Sequence, residues 1–286
     1  MSQFANHAKT ALLLASLIAL CMLIGHLWLG PRGVIFGLIF GGLGNVIAFY
    51  FSDRIALMSM GAQPLERHEV PWLYDMVERL SQRAGLPMPR IYLCPQEAPN
   101  AFATGRSPQR AVVAVTAGML RHFPPDEIEA VLAHELGHIR HRDMLITTVA
   151  AVLAGIISYA GYMLFWFGGG GDRRDNPLGA VGAILMLILA PIAAAIIQMA
   201  ISRSREYAAD HFAGKITGNP LKLARALERL AGLNERIPTD VNPAFHSLFI
   251  VQPLSGEGMA ALFSTHPPIE KRIEALRRQA AAMGLL

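Results

Sequence analysis

Four stretches of the chain have the length and apolarity of membrane helices: Thr10 to Leu29, Val34 to Phe51, Met144 to Gly168 and Leu178 to Ile201. A helix rises about 1.5 Å per residue, so roughly 20 residues cross a hydrocarbon core of about 30 Å. Composition agrees. Of the 286 residues 53% are hydrophobic and only 16% charged, against about 25% charged in soluble domains, and the excess is gathered in these four blocks. The first block is too long for a cleavable leader, lacks a small-residue cleavage site, and is followed after Gly30-Pro31-Arg32-Gly33 by the second. These two blocks are expected to form a hairpin. Gly37, Gly41, Gly42 and Gly44 in its second arm offer the small surfaces that let membrane helices approach. For the other pair, joined by a polar connector from Gly168 to Pro177, a hairpin buried within protein is the alternative to one that spans.

The blocks divide the chain into an N-terminal transmembrane hairpin (1–52), a soluble unit (53–143), a second apolar hairpin (144–201) and a soluble C-terminal part (202–286). In the first soluble unit, Val70 to Ala84 carries apolar residues at helical spacing and is closed by Gly85. Arg90 to Cys94, Asn100 to Thr104 and Ala111 to Thr116 read as strands, the last two joined as a hairpin through the turn-rich loop Gly105 to Arg110. An uncovered edge of such a sheet can accept an extended peptide, or is simply an edge. Pro124-Pro125-Asp126-Glu127 opens a helix whose core stripe is Ile128, Leu132, Leu136 and Ile139. Helices from Asn219-Pro220 and from Pro267 to Met283 complete the chain, the latter with Arg and Glu expected at its surface.

His134-Glu135-Leu136-Gly137-His138 lies on the helix opened by Pro124. Residues four apart on a helix face the same side, so the two imidazoles can grip one ion, with Glu135 within reach of a water on it. They are expected to project away from the core stripe, into a cleft. Gly137 costs about 1 kcal/mol against alanine within a helix, which a closely packed substrate or neighbouring backbone would explain. A catalytic zinc ion takes three protein ligands and leaves a position for water. The third candidate is Glu206 in Ser204-Arg205-Glu206-Tyr207-Ala208-Ala209-Asp210, although an exposed acidic pair would look the same. His138 lies just before the third apolar block and Glu206 just after the fourth, so a hairpin between them brings the ligands together beside the membrane, and the histidine helix is expected to run almost directly into the bilayer. Asp210 is suited to accept the free ring N–H of a ligating histidine, or to pair with Arg203 or Arg205.

These segments, with Pro99-Asn100-Ala101-Phe102-Ala103-Thr104-Gly105 and Ser264-Thr265-His266-Pro267, resemble the HtpX family of membrane zinc metalloproteases, relatives of the CAAX prenyl proteases with a gluzincin-type site. The resemblance runs in order over nearly the whole chain. It implies a mainly α membrane protein with four apolar helices and a zincin-like α+β protease domain containing a small sheet. It also implies quality control of membrane proteins at the bacterial inner membrane, with misfolded or unfolded polypeptides as substrates. His134, His138 and Glu206 would bind one zinc ion, Glu135 would be the catalytic base, Asp210 would support a ligand, and Asn100, Ala101, Phe102 and Ala103 would line the substrate groove.

The expected reaction is peptide hydrolysis by zinc-bound water, with Glu135 moving the proton. Tyr207, His246 and His266 are available to stabilise the developing oxyanion. His266 could instead occupy the fourth zinc position. The alternative function is a zinc-stabilised membrane scaffold or adaptor without catalysis, but structural zinc sites usually close with four Cys or His ligands, which the sequence does not supply. A transporter would place ionisable residues within its spans, where His26 is the one basic side chain. The net charge of +4 is scattered, which argues against nucleic acid as a partner. Cys21 and Cys94 lack C-x-x-C spacing, so neither a disulfide nor a thiolate metal site is expected, and a reducing compartment suits the soluble part. Lys9, Arg54, Arg140, Arg142, Arg203 and Arg205 flank span ends on the side of the zinc domain and both termini, against Arg32, Arg173 and Arg174 opposite. That asymmetry puts the zinc domain and both termini in the cytoplasm.

Overall fold

The computed structural model of the protein describes residues 3–143, 149, 203–234, 236–237, 241, 248–250 and 267–286. The second apolar pair (144–201, Val149 apart), His246 and His266 lie outside the described residues. Helix α1 runs from Gln3 to Ser59 and is broken only at Gly30, with φ 61° and ψ −147°. That conformation is open essentially to glycine alone. The turn between the two arms is therefore one residue and not the expected four, because Pro31 already has the φ of a first helical position and starts the second arm. The arms fold against each other. A Cβ on Gly37 would run into the backbone of Cys21 and Met22, and one on Gly41 would lie 3.1 Å from Cα of Ile18, whereas Gly42 faces open space. Several side chains of α1 lie outside the described residues, and among those described no helix is long and apolar enough to cross a membrane.

A four-stranded sheet follows, in the order β1-β2-β4-β3. β1 (Gln63–Pro64) is antiparallel to β2 (Arg90–Cys94). β2 runs parallel to β4 (Val112–Thr116), with Arg90 beside Val112 and Cys94 beside Thr116. β4 is antiparallel to β3 (Ala101–Thr104), which among the described residues leaves β3 at an edge. β1 has only two residues, one a proline, and so carries no alternation by which it could be expected. A short helix α3 (Ala117–His122) was likewise unannounced; the hydroxyl of Thr116 caps it by accepting from the Met119 N–H at 3.1 Å.

Helix α2 (Pro71–Ala84) ends at Gly85 in the left-handed region, as the sequence predicts. The remaining helices are α4 (Pro125–His141), α5 (Arg203–Thr217), α6 (Pro220–Asn234) and α7 (Ile269–Ala282). α4 is central, touching α2, β3, α5 and α6. Its stripe of Ile128, Leu132, Leu136 and Ile139 is buried, but so are Ala130, Val131 and Ala133 on its other faces. The stripe is one wall of a helix enclosed on nearly every side, and the histidines face α5 instead of an open cleft. Lys222, Arg225 and Arg229 of α6 pair with Glu129, Asp126 and Glu127 of α4 at 2.7, 2.9 and 2.7 Å. The acids sit at the positive end of α4, where they also favour the helix.

Candidate metal centre

α4 does not continue toward the next apolar block. Its last turn closes with two bonds, from the Arg142 N–H to the Ile139 carbonyl at 3.1 Å and from the Asp143 N–H to the His138 carbonyl at 2.9 Å. Arg142 takes the left-handed conformation, φ 58°. This is a Schellman ending with arginine where glycine is usual. The reversal carries the Asp143 carboxylate back under the helix, 3.5 Å from Nδ1 of His138.

α5 crosses α4 at Gly137, where an added Cβ would lie 3.1 Å from Cα of Ala209 and 3.2 Å from Cδ1 of Phe212. The close neighbour anticipated at this glycine is the backbone of α5. Contact at that depth brings Glu206 and Asp210, four apart on one face of α5, against the two histidines. Oε1 of Glu206 is 3.5 Å from Nε2 of His138, its Oε2 is 3.8 Å from Nε2 of His134, and the two Nε2 atoms are 3.1 Å apart. Asp210 Oδ1 lies 2.9 Å from Nδ1 of His134. Asp210 thus lies against a histidine ring, and it also forms a buried ion pair that is not with Arg205. The partner is Arg272 of α7, whose Nε and Nη2 donate to both carboxylate oxygens at 2.8 and 2.7 Å. Nη1 of Arg272 donates to the Ile250 carbonyl at 3.2 Å and lies 3.5 Å from Glu206. Arg205 instead faces Asp143, 3.5 Å away.

Glu135 points from α4 toward β3, whose Ala103 backbone hydrogen-bonds its carboxyl. Burial pushes that carboxyl up to about 7, with the neighbouring Glu206 adding to the rise and His138, the Ala103 bond and Arg272 opposing it. For His138 burial works against charge, but Asp143, Glu206 and Glu135 outweigh it and lift the ring to about 9. His134 goes the other way: burial holds it below its ordinary value despite Asp210. Burial would raise Asp210, yet Arg272 holds it down at about 2.

The donors suit a divalent ion. His134, His138 and Glu206 each offer an atom within 4.8 Å of the others. A carboxylate on each Nδ1 fixes the ring so that both Nε2 lone pairs converge. With both rings deprotonated, as metal ligands must be, four buried carboxylates, Glu135, Asp143, Glu206 and Asp210, face two buried guanidinium groups, Arg205 and Arg272. The excess of negative charge is what a divalent cation offsets, and the N,N,O set is one zinc accepts.

Of the other residues singled out from the sequence, Asn100, Ala101, Phe102 and Ala103 are all buried, on and beside the edge strand. Asn100 braces a distant segment, donating from Nδ2 to the Leu248 carbonyl at 3.4 Å and accepting the Ile250 N–H on Oδ1 at 3.1 Å. Tyr207 is half-buried along the groove between α5 and α7 with His211, Lys271 and Glu274. Asp143 and Arg272 are not among the residues that the sequence singles out for the site. The first lies just beyond a helix end, and Arg272 sits in a run of Arg and Glu that reads as a solvated face.

Residues 67–280 match the model of peptidase family M48. A "Protease HtpX homolog" of Persephonella marina is 50% identical over 282 residues, covering 96% of this chain and 98% of the relative. One from Thermococcus sibiricus is 50% identical, covering 97% of each. The crystal structure of Ste24p from S. mikatae superposes with a TM-score of 0.53 at 20% identity, covering 96% of this chain and 66% of that one, a likeness of fold. With a matched family model across most of its length and near-complete relatives at half identity, the chain belongs to peptidase family M48, alongside the HtpX homologues.

Proposed function

We propose that the protein is a zinc endopeptidase of the bacterial inner membrane which cleaves misfolded or damaged membrane proteins, with Glu135 as its catalytic base. The observation that carries this reading is the convergence of His134, His138 and Glu206 beside a buried Glu135 that bonds the edge strand β3. His134, His138 and Glu206 would hold the ion. When bound, zinc acidifies a water molecule and polarises a carbonyl. Glu135, buried beside the three donors, is placed to take a proton and return it to the leaving amine nitrogen. Among the described residues β3 has one edge not paired to another strand, and an extended substrate can add there by main-chain hydrogen bonds. The groove would run along Asn100 to Ala103, while Asp210 and Asp143 hold the two rings.

Location in a bilayer is supported by the second arm of α1, where Ile35, Phe36, Leu38, Ile39, Phe40 and Leu43 are all about half or more exposed. Such a surface is unfavourable in water and ordinary in lipid. Residues 1–52 would form one membrane hairpin and 144–201 a second, while 53–143 and 202–286 combine as the protease domain on the cytoplasmic side favoured by the basic flanks. His266, outside the described residues, is proposed as the oxyanion donor or as a fourth zinc ligand.

The test is cleavage of an unfolded membrane-protein substrate by the detergent-purified full chain. Glu135→Gln is expected to retain zinc and lose activity by about 100-fold or more; a chelator should abolish cleavage by the unaltered protein. Retained, zinc-independent cleavage by Glu135→Gln would sink the assignment. A wild-type protein that binds zinc and cleaves nothing would favour the scaffold reading.

A further inference from the structure

Where the second arm of α1 leaves its apolar stretch, a cleft of about 450 Å³ opens between that arm, the start of β2 and the β3–β4 turn. Four guanidinium groups line it, from Arg54, Arg90, Arg106 and Arg110, against one carboxylate, Asp53. By contrast Arg205, Arg225, Arg229 and Arg272 each meet a carboxylate. Among the described residues none of the four in the cleft forms an ion pair. Nε of Arg106 is buried and has no hydrogen-bond partner there. Aromatic rings orient the guanidinium groups. Arg106 stacks over Tyr50 at 5.2 Å, Arg54 over Phe51 at 5.8 Å and Arg90 over Tyr92 at 6.0 Å.

We propose that this cleft binds the phosphate headgroup of an anionic phospholipid. Arginine forks match phosphate oxygens, and four of them are poorly matched to any neutral or cationic ligand. The lipid is preferred to a soluble phosphate because of what adjoins the cleft. Val46 and Ile47, one turn before Tyr50, are exposed on α1, so acyl chains can lie along the arm while the phosphate sits among the arginines. Tyr50 and Phe51 occupy the level at which aromatic side chains gather in a bilayer. The proposal rests on the membrane reading of α1 given above. Arg106 and Arg110 belong to the turn immediately after β3, so a bound headgroup would fasten the hairpin that carries the proposed substrate edge to the bilayer surface.

The experiment is native mass spectrometry of the detergent-purified full chain titrated with phosphatidylglycerol or with phosphatidylcholine of the same acyl chains. One phosphatidylglycerol per chain is expected to be retained in preference to phosphatidylcholine. Arg106→Gln/Arg110→Gln should weaken that binding about 30-fold, and Arg54→Gln alone by roughly fivefold, from the usual contribution of a basic residue at an anionic surface. Thermal melts of both variants identify any that misfold, and the single variant carries the test if the double one does. Equal retention of the two lipids, or unaltered phosphatidylglycerol binding in folded variants, would overturn the site. Displacement by millimolar inorganic phosphate would overturn the lipid and assign a soluble anion instead. A wild-type protein that stays in solution without detergent would refute the membrane reading itself, an outcome separate from lipid selectivity.

Discussion

Arg272 is the largest fully buried side chain among the described residues, and it is charged. Burying a guanidinium is costly, and the cost is offset only where its donors all find acceptors. Here each of its three nitrogens finds one, on both oxygens of Asp210 and on the Ile250 carbonyl. Burial would lower the Arg272 pKa, but Asp210 outweighs it and the net direction is up. Asp210 in turn orients His134, so Arg272 acts on the metal site through two intermediaries. Arg272→Met should strand the Asp210 charge and lower stability by about 3–5 kcal/mol, with zinc affinity down about 10- to 100-fold. Adding Asp210→Asn should recover part of the stability and none of the affinity, read by thermal melts and by chelator competition. Recovery of both would mean that Arg272 only fills space. The convergence of His134, His138 and Glu206, the proposed ligands, is legible because i, i+4 spacing is a local geometric fact. Arg272 is not, since an arginine in an amphipathic helix becomes buried only when another part of the chain covers it.

At the scale of elements, the pairing of α4 with α5 sets how far Glu206 sits from the histidines. Gly137→Ala would gain about 1 kcal/mol of helix propensity. The new Cβ, however, would stand 3.1 Å from the Ala209 Cα, and an α-carbon cannot yield without moving the helix that carries Glu206. Overpacking of this kind costs about 1–3 kcal/mol. Gly137→Ala should therefore melt at or below the wild-type temperature and bind zinc more weakly, as chelator competition would reveal. A variant both more stable and equally tight would show that the helices can separate freely. Helix α2 and strand β2 were readable at nearly their full extent, because Pro71 and Gly85 punctuate one and an apolar run defines the other. The end of α4 was not. Its left-handed residue is Arg142, which carries none of the sequence signal that a glycine would, and so the sequence alone carries the helix on toward the membrane. With that ending unseen, the use of Asp143 to hold His138 was unseen too.

Across the whole molecule, the apolar hairpin and the protease sheet share one junction. Ala56, Leu57 and Met60 at the end of α1 are buried, Gln96 Nε2 donates to the Met60 carbonyl at 2.9 Å, and the Leu65 N–H donates to the Ile91 carbonyl at 3.0 Å. Cys94 lies in the strand beneath this junction with no exposed surface. Its thiol therefore reports opening of the sheet as a whole. Burial pushes the thiol up to about 12, and only the thiolate is reactive. In a full-length Cys21→Ser protein in detergent, Cys94 should resist a maleimide at pH 8 and react fully once denaturant unfolds the sheet. The pH dependence follows from the same shift. The folded state holds the thiol proton more tightly than the unfolded chain, whose thiol titrates near its ordinary value of 9.0. The associated stability is complete below that pH and is lost as pH rises toward 12, at up to about 1.4 kcal/mol per pH unit. Tyrosines and lysines titrate across the same range, so the quantity to measure is a difference. Stability of the Cys21→Ser protein between pH 9 and pH 11 should fall more steeply than that of Cys21→Ser/Cys94→Ala. Parallel slopes, or rapid labelling of the native protein, would mean that the junction opens locally and that α1 and the sheet are not one cooperative unit.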